Sequence, residues 1–256
     1  SALARSGEEL YDAVCKHYTK KQWDKWPKEL DASVLARIPV RTNTDDRYFT
    51  DPFQALPKHG YTKIFENMIL NDPNITIRLC ADFFRIRDEL PNSKLLVFTG
   101  PIDSYYSSLG LPKLEYRSLK FEEEYHEPEG GFYQSCLQLN YPGKEVDFTR
   151  IVEYKHKPNQ PKDSKLQKST VIFKEYSCDE GEPYYPVPNP KNRELYEKYK
   201  EMAAREDRVC FVGRLASYKY FNMDQAFLNA LEIFDEYFSD SSSFRTTLIG
   251  EGDGPK

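Results

Sequence analysis

Hydrophobic and polar residues alternate along the chain with two different spacings. Apolar positions recur every three or four residues in segment 7–24, which is typical of an amphipathic helix. The same spacing predicts helices over 61–70 and 193–206, a short helical turn over 31–38, and a long helix that starts at Met223. The long helix carries one continuous apolar stripe, made of Met223, Ala226, Phe227, Ala230, Leu231 and Phe234.

Strand-like patterns occupy the middle of the chain. Apolar and polar residues alternate over 74–84, which favours a strand. Segment 94–100 is a continuous apolar run that ends in Gly100, which indicates a fully buried strand. A short apolar run over 208–213 predicts another strand. Four more alternating segments follow one another without long helices between them, and predict an antiparallel sheet with one wet face: 114–125, 135–141, 148–157 and 169–177.

The order of these elements predicts the fold class. A buried strand comes before the sheet segments, and another buried strand followed by a helix comes after them. This order is typical of an α/β domain that is interrupted by an inserted antiparallel sheet, so we expect a mixed α/β (α+β) fold. With 256 residues, the chain is long enough for two structural units.

Composition excludes several classes of function. Lys plus Arg number 36 against 41 Asp plus Glu, a net charge of −5, so there is no overall positive field for nucleic acid or an anionic membrane. The five cysteines are scattered and never form a CxxC pair, and the four histidines have no metal-binding spacing, so we expect no metal site and a reducing compartment. Without a long apolar run or a signal-peptide pattern, a cytoplasmic protein is predicted.

Aromatic residues and arginines at the breaks between elements are the candidates for chemistry. A planar guanidinium can pair with two oxygens of a diphosphate at once. Aromatic rings and phenol groups suit a uracil or sugar ring. Taken singly, each of these residues is also compatible with a half-buried tyrosine or a surface arginine. The candidates are Tyr18, Trp23, Arg37, Tyr48, Arg150, Tyr184, Tyr185, Arg214 and Tyr220.

Eight segments follow one another in the chain: "YTKKQW", "RIPVR", "YFTDPFQALPKHGYTKIFE", "FTGPIDSYY", "LEYRSLKFEEE", "FTRIVEYKHK", "EPYYPVPNPKN" and "GRLASYKYFNMDQ". Together they resemble the bacterial type of the UDP-galactopyranose mutase family, in order from about residue 7 to about residue 238. A collinear set of this size is far more specific than any one motif.

The resemblance implies an isomerase that depends on FAD in its reduced form. Members of the family interconvert UDP-galactopyranose and UDP-galactofuranose, and flavin N5 attacks the anomeric carbon to give a covalent flavin–sugar intermediate while UDP leaves. NAD(P)H or another reductant and a homodimer are the partners that the resemblance suggests, with no nucleic acid and no membrane.

The resemblance also assigns roles to individual residues. Arg37 and Arg150 would be the catalytic pair that clamps the diphosphate. The substrate-binding set would be Tyr18, Trp23, Tyr48, Asn140, Tyr184, Tyr185, Tyr220 and Asn222. The residues near the flavin would be Gly213, Arg214, Met223, Asp224 and Gln225.

The implied domain organisation is an incomplete FAD-binding, Rossmann-like domain interrupted by a helical segment and a sheet domain. Residues 1–56 would be the helical substrate-side segment, and 104–180 the antiparallel sheet. The FAD-binding domain would consist of 57–103 and 181–240, leaving 241–256 as a tail or linker.

Two departures from the family pattern leave alternatives open. The family's GxGxxG turn, which binds the ADP part of the cofactor, is not found in this chain, so the chain is expected to represent the later portion of a mutase. Asn222 stands where the family pattern has aspartate. The alternatives are a degenerate relative that binds UDP-sugar without catalysis, and a structural or interaction module.

Overall fold

A computed structural model describes residues 2–36, 38–90 and 93–239. The chain divides into two compact units. Of the described residues, unit 1 contains 2–36, 38–90 and 118–182, and unit 2 contains 93–117 and 183–239.

Unit 1 begins with a long helical stretch. Helix α1 (Ala2–Leu10) continues through a π-helical turn over Tyr11–Lys16 into α2 (His17–Trp23), with a kink at Gly7. The stretch ends where Asp24 adopts a left-handed backbone conformation, with φ of 52°. The predicted helix over 7–24 is confirmed. A 3₁₀ turn at Pro27–Glu29 and helix α3 (Ala32–Ala36) follow.

Segment 31–90 of unit 1 contains only exposed or half-buried residues in its described part. The segment contains α4 (Tyr61–Ile69), α5 (Phe83–Ile86) and a 3₁₀ turn at Arg87–Glu89. The predicted helix over 61–70 is confirmed.

The strand predicted over 74–84 is wrong. No partner strand pairs with this segment in the described chain, and Ile75, Ile77 and Leu79 are 42%, 40% and 84% exposed. Cys80 has a φ of 54°, which interrupts an extended backbone. The Asp82 side chain then accepts the amide hydrogen of Phe84 at 2.9 Å and caps α5. The alternation of apolar and polar residues therefore did not lead to a strand, because no neighbouring strand is present in the described chain to pair with it.

Unit 1 also holds the antiparallel sheet, formed by β2 (Tyr116–His126), β3 (Gln138–Asn140), β4 (Arg150–Val152) and β5 (Thr170–Cys178). Its strand order is β3-β4-β5-β2, and the first two residues of β2 belong to unit 2. Two 3₁₀ turns, Tyr154–His156 and Lys162–Leu166, connect β4 to β5. The antiparallel sheet predicted from these four segments is confirmed.

Buried ionic groups fasten the loops of this sheet. The Glu153 carboxylate is 0% exposed and accepts hydrogen bonds from the amides of Tyr133 and Gln134, at 3.1 and 3.0 Å, and from the Thr170 hydroxyl at 2.6 Å. The Lys155 ammonium donates to the carbonyls of Gly131, Gln167 and Ser169. Each of these buried charged groups loses its contact with water and makes several hydrogen bonds within the protein instead. Without such hydrogen bonds, burying a charged group would be strongly unfavourable.

Unit 2 is built around a short parallel sheet. Strand β1 (Leu96–Phe98) pairs in parallel with β7 (Val209–Phe211), and β6 (Tyr185–Pro186) pairs with Tyr116 and Arg117 at the start of β2. Both predicted strands of the parallel pair are confirmed. Full burial of the first is wrong, because Phe98 is 7% exposed but Val97 is 54% exposed.

The core of unit 2 is rich in tyrosine. Helix α6 (Ile102–Tyr105), a 3₁₀ turn at Ser107–Leu109 and helix α7 (Pro190–Ala203) surround it. Its buried members are Ile102, Tyr106, Leu114 and Tyr199, with further aromatic rings packed around them.

Helix α8 (Met223–Ser239) confirms the long helix predicted from Met223. Its side chains anchor it to other parts of unit 2: Asn229 accepts the Gly213 amide at 2.9 Å, and the Tyr237 hydroxyl donates to the Val209 carbonyl at 3.2 Å. The predicted apolar stripe is largely exposed, with Met223 58% and Leu231 62% exposed. Among the described helices, none has the length and apolarity needed to cross a bilayer.

The mixed α/β class with an antiparallel sheet is confirmed. The two units divide the chain differently from the predicted domains. Residues 57–90 fall in unit 1 rather than with β1, and residues 104–117 fall in unit 2 rather than with the sheet. The assignment of these regions to FAD-binding and substrate-side domains stays a prediction.

Candidate functional site

The sheet of unit 1 brings Asn140 and Arg150 together on one face. They are paired across β3 and β4, and Arg150 is paired in turn with Glu175 of β5, which faces Phe121 of β2. Because directly paired residues of an antiparallel sheet point to the same side, these four side chains form a row, which we call the arginine row. Two of its members were predicted from the sequence, although their positions along the chain are far apart.

Glu175 orients the guanidinium of Arg150. The Arg150 Nε and Glu175 Oε2 atoms are 2.7 Å apart, and the two side chains are 20% and 9% exposed. On the next strand, Gln138 accepts a hydrogen bond from Arg150 Nη1 at 3.4 Å, and its amide donates to Asn140 Oδ1 at 3.1 Å. Groups on both neighbouring strands therefore fix the plane of the guanidinium, which is what bidentate recognition of an oxyanion requires.

The ion pair of the arginine row is only partly hydrated. Burial raises the pKa of the Glu175 carboxyl group, and the nearby charge and hydrogen bond of Arg150 act in the opposite direction. A carboxylate in this position is kept ionised mainly by its arginine partner, so the two side chains depend on each other.

Lys21 holds the connection between the two strands that carry Asn140 and Arg150. Its ammonium group donates to the carbonyls of Tyr141, Val146 and Phe148. Burial lowers the pKa of Lys21. Helix α2 thus fixes the β3–β4 connection, and the Gln22 carbonyl, which accepts from the Ser177 hydroxyl at 2.6 Å, ties the same helix to β5.

Unit 2 brings together a second group of predicted residues, Tyr185, Arg214 and Tyr220, which we call the tyrosine clamp. The central carbon of the Arg214 guanidinium lies 5.0 Å from the Tyr185 ring centroid and 4.5 Å from that of Tyr220. The two rings meet edge to face at 5.2 Å. This geometry fits two cation–π contacts, each of which contributes about 0.5–2 kcal/mol.

A tight loop carries two of the three clamp residues. Gly213 opens the loop with a φ of 93°, a conformation that favours glycine, and its amide donates to Asn229 of α8. The amides of Ser217 and Lys219 return to the carbonyls of Gly213 and Arg214, at 2.9 and 3.1 Å. The chain therefore folds back on itself between Arg214 and Tyr220, so that both reach the same place.

The start of α8 has features of a capped helix end. The Asn222 carbonyl accepts the Ala226 amide at 3.0 Å, and the Gln225 side chain reaches back to accept the Asn222 amide at 2.8 Å. This is one half of a capping box. Met223, Asp224 and Gln225 are exposed, so the positive end of the helix dipole is accessible to an electron-rich group.

The other predicted residues have varied surroundings. Tyr18 is half-buried on α2, whereas Trp23 is 5% exposed and belongs to the core of unit 1. Tyr48 is 54% exposed in an irregular segment, edge to face with the ring of Phe49. Tyr184 is 38% exposed beside Tyr185. Arg37 lies outside the described residues.

Unit 1 also contains a cavity of about 300 Å³ between β5 and the two 3₁₀ turns, lined among others by Tyr154, Lys155 and Phe173. None of the predicted site residues lines it.

Comparison with known proteins decides which family this geometry belongs to. The family model described as UDP-galactopyranose mutase matches residues 13–220. The chain belongs to the UDP-galactopyranose mutase family. The matched range includes the arginine row and the complete tyrosine clamp.

Several relatives of this mutase family are similar over most of the chain. A probable UDP-galactopyranose mutase of Klebsiella pneumoniae is 42% identical over 241 residues, covering 93% of this chain and 60% of its own length. A dTDP-fucopyranose mutase of Escherichia coli is 40% identical over 248 residues, covering 94% and 63%. The UDP-galactopyranose mutase of Mycoplasma pneumoniae is 31% identical over 230 residues, covering 84% and 56%. The chain thus spans about 60% of the length of these curated relatives.

A solved structure supports the fold. The crystal structure of a reduced UDP-galactopyranose mutase matches with a TM-score of 0.61 at 14% sequence identity, covering 97% of this chain and 69% of that one. At this identity the match concerns the fold alone, and it agrees with the mixed α/β class inferred from the order of elements.

Sequence reasoning missed the residues that support the mutase-family motifs. Glu175 and Gln138 hold Arg150, and Asn229 holds Gly213. For Gln138 a signal existed, because it lies two positions before Asn140 in the same strand pattern and therefore shares its face. The pairing of Glu175 with Arg150 depends on the register between two strands, which the sequence did not show. Nothing in the sequence pointed to Asn229, which lies 16 residues from its partner.

Proposed function

We propose that this chain carries the substrate-binding residues and part of the flavin site of a mutase that interconverts UDP-galactopyranose and UDP-galactofuranose. The observation that carries the proposal is the tyrosine clamp. The family resemblance assigns Tyr185 and Tyr220 to the substrate and Arg214 to the flavin, and the three residues pack together in the structure.

The arginine row would hold the diphosphate of the nucleotide sugar. Arg150 supplies a guanidinium whose orientation is fixed by Glu175 and Gln138, and Asn140 adds an amide on the same face. Holding a doubly negative leaving group in a fixed place favours both its departure and its recapture. Arg37 is proposed as the second guanidinium on the basis of the family resemblance.

The tyrosine clamp would contact the substrate and the cofactor. Tyr185 and Tyr220 offer phenol groups for phosphate or sugar oxygens, and Arg214 supplies positive charge beside both rings. Tyr18, Trp23, Tyr48, Tyr184 and Asn222 stay proposed substrate residues.

The residues at the start of α8 fit part of a flavin site. A Cβ atom added to Gly213 would meet no atom within 4 Å, so the backbone there is open to a close approach. The Gly213 amide already donates a hydrogen bond to Asn229, so this residue would give the flavin space rather than a hydrogen bond. Reduced FAD would supply the nucleophile for the anomeric carbon, and the dipole of α8 at Met223, Asp224 and Gln225 would stabilise negative charge on it.

A second candidate substrate is dTDP-fucopyranose. A dTDP-fucopyranose mutase is almost as similar to this chain as the Klebsiella mutase, with 40% against 42% identity. Both candidate substrates carry a diphosphate, which the arginine row would recognise in the same way, so the choice depends on contacts to the base and the sugar.

The test uses the purified full-length protein. We expect a bound flavin in its absorbance spectrum and, under dithionite, conversion of UDP-galactopyranose to UDP-galactofuranose that chromatography of the nucleotide sugars detects. Faster conversion of dTDP-fucopyranose would move the assignment to the second substrate. Binding of UDP without flavin or turnover would support the degenerate relative instead, and binding of neither would overturn the proposal.

The proposal also includes a cytoplasmic location, NAD(P)H as reductant and a homodimer. Fractionation tests the location, reduction kinetics test the reductant, and sedimentation tests the homodimer.

A further inference from the structure

Tyr218 occupies an unusual backbone conformation in the loop of the tyrosine clamp. Its φ is 46°, in the left-handed region that bulky residues rarely adopt. Such conformations persist where the surroundings hold them in place, and they are frequent near functional groups.

The surroundings of Tyr218 show what holds it. Its hydroxyl lies 2.5 Å from the Glu115 carbonyl and 3.2 Å from the Val187 carbonyl, so its single hydrogen is directed towards two backbone acceptors. Its ring stacks on Tyr196 at 5.8 Å and meets Tyr116 edge to face at 5.3 Å. Burial raises the pKa of Tyr218 well above its usual range, so the phenol stays neutral and keeps its donor hydrogen.

The position of these contacts relates them to the clamp. Val187 comes two residues after Tyr185, and Tyr218 itself lies between Arg214 and Tyr220. The clamp residues therefore come from two segments of the chain, one with Tyr185 and one with Arg214 and Tyr220. Tyr218 belongs to the second segment, and its hydroxyl contacts the backbone of the first at Val187.

We propose that Tyr218 is a positioning residue of the tyrosine clamp. Its hydroxyl holds the 213–221 loop against β6, and this keeps the guanidinium of Arg214 over the rings of Tyr185 and Tyr220. The consequence for ligand binding rests on the proposed function: with Arg214 in place, Tyr185 and Tyr220 keep the positions in which their phenol groups bind a nucleoside diphosphate, here UDP. Tyr218 itself needs no contact with the ligand.

Tyr218→Phe tests the proposal, with Tyr199→Phe as its matched control. Tyr199 belongs to the same core, is 1% exposed, and donates its hydroxyl to the Pro112 carbonyl at 2.7 Å. Both variants remove one phenol–carbonyl hydrogen bond and keep the ring, so we expect similar decreases in Tm. Only Tyr218 lies in the clamp loop.

Two measurements on the full-length protein separate positioning from general stability. The first is the NMR signal of the Arg214 Nε–H group, assigned with Arg214→Lys, because the ring currents of Tyr185 and Tyr220 shift it. We expect this signal to move in Tyr218→Phe and to stay in place in Tyr199→Phe. The second is the affinity for UDP, which we expect to fall about five- to tenfold in Tyr218→Phe, the value of one lost hydrogen bond, and less than about twofold in the control.

The outcomes are distinguishable. An unmoved Arg214 signal in Tyr218→Phe, or equal shifts in both variants, overturns the positioning role whatever the ligand. If the wild-type protein does not bind UDP but the signal moves only in Tyr218→Phe, the positioning role stands and the proposed function fails. Phenylalanine keeps the ring of Tyr218 and removes only its hydroxyl, so no further variant is needed at this position.

Discussion

The two units position their key arginines by different means. Arg150 of unit 1 lies on a strand and is fixed by a carboxylate and an amide from the strands beside it. Arg214 of unit 2 lies on an irregular loop, and its guanidinium contacts the rings of two tyrosines. One arginine is oriented by charge and strand register, and the other by aromatic packing.

The same contrast extends through both units. Unit 1 buries ionic groups that fasten its loops, among them Glu153 and Lys155, whereas the core of unit 2 is built from tyrosines whose hydroxyls reach backbone carbonyls or carboxylates. Carboxylates lose their charge in acid and tyrosines gain one in alkali. The two units should therefore respond to opposite extremes of pH, and substitutions in each can test this difference.

The largest expected effect comes from Arg150→Ala. It removes the proposed diphosphate contact and leaves the buried Glu175 without its arginine. We expect UDP binding to weaken by about 2–5 kcal/mol, as for truncated buried charge pairs, and the free energy of unfolding to fall by about 3 kcal/mol. Without Arg150 the pKa of Glu175 rises further, so Glu175 becomes protonated and neutral in acid. Arg150→Ala should therefore destabilise the protein less at low pH than at neutral pH. Calorimetric titration with UDP and urea unfolding at several pH values measure both effects.

Lys174→Ala is the matched control for Arg150→Ala. Lys174 lies on the opposite face of the same strand pair, where it forms an ion pair with Glu124. Its loss should change stability by less than about 1 kcal/mol and leave UDP binding intact. If both variants weakened UDP binding equally, the arginine row would not be the diphosphate site.

Protonation of Glu153 should contribute to the loss of stability of unit 1 in acid. Burial acts to raise the pKa of Glu153, but hydrogen bonds from Thr170 and the amides of Gln134 and Tyr133 outweigh it, so the pKa is lowered. A lowered pKa contributes stability above the unfolded-state value of about 4.3, and this contribution is lost as the pH falls through the folded-state value.

Glu153→Gln should cost about 3 kcal/mol at neutral pH, because an amide nitrogen would face donors in a buried site. It should also flatten the dependence of stability on acid pH, measured by urea unfolding. Glu124→Gln on the partly exposed edge provides the comparison, with an expected loss within about 1 kcal/mol. A steep acid transition that survives in Glu153→Gln would contradict the role given to this carboxylate.

Alkali should act on the tyrosines of unit 2. Burial raises the pKa of Tyr196 to about 12, with a smaller contribution from the charge of Glu197. A raised tyrosine pKa contributes stability that is fully present below the unfolded-state value of about 10 and is lost as the pH rises towards the folded-state value. Tyr196→Phe should therefore recover about 2 kcal/mol at high pH relative to the wild-type protein. Unfolding and tyrosine ionisation followed together by ultraviolet absorbance check this, and unchanged alkaline stability in the variant would contradict it.

The parts of the fold that the sequence predicted were those with local periodicity and a partner in the chain. Helices over 7–24 and 61–70 and the four sheet strands follow from spacing alone. The pattern over 74–84 has the same alternation but lacks a neighbouring strand, and Cys80 interrupts its extension. Periodicity reports which side of a segment is apolar, and it does not report whether another segment is available to pair.

The candidate site was predictable to the extent that motifs mark residues. Tyr185, Arg214 and Tyr220 could be named from their motifs, but their mutual packing depends on a loop that turns back at Gly213 and Tyr218. The partners that orient the arginines, such as Glu175, come from pairing between strands that are distant in sequence. Register of this kind is a tertiary property, which single segments do not encode.

The smallest expected effect on stability concerns Asn222, where the family pattern has aspartate. The contacts at this position are those of a helix start: its carbonyl accepts the Ala226 amide and its amide is capped by Gln225. Asparagine and aspartate are about equally good N-caps, so Asn222→Asp should change the free energy of unfolding by less than about 0.5 kcal/mol, as measured by urea unfolding.

Any larger effect on turnover of UDP-galactopyranose must then come from the added negative charge near the clamp rather than from the helix. Glu232→Gln, which removes a charge from an exposed position of the same helix outside the proposed site, is the control and should leave turnover unchanged. If Asn222→Asp changes neither stability nor turnover, capping is the whole role of this position, and the departure from the family pattern has no consequence for catalysis.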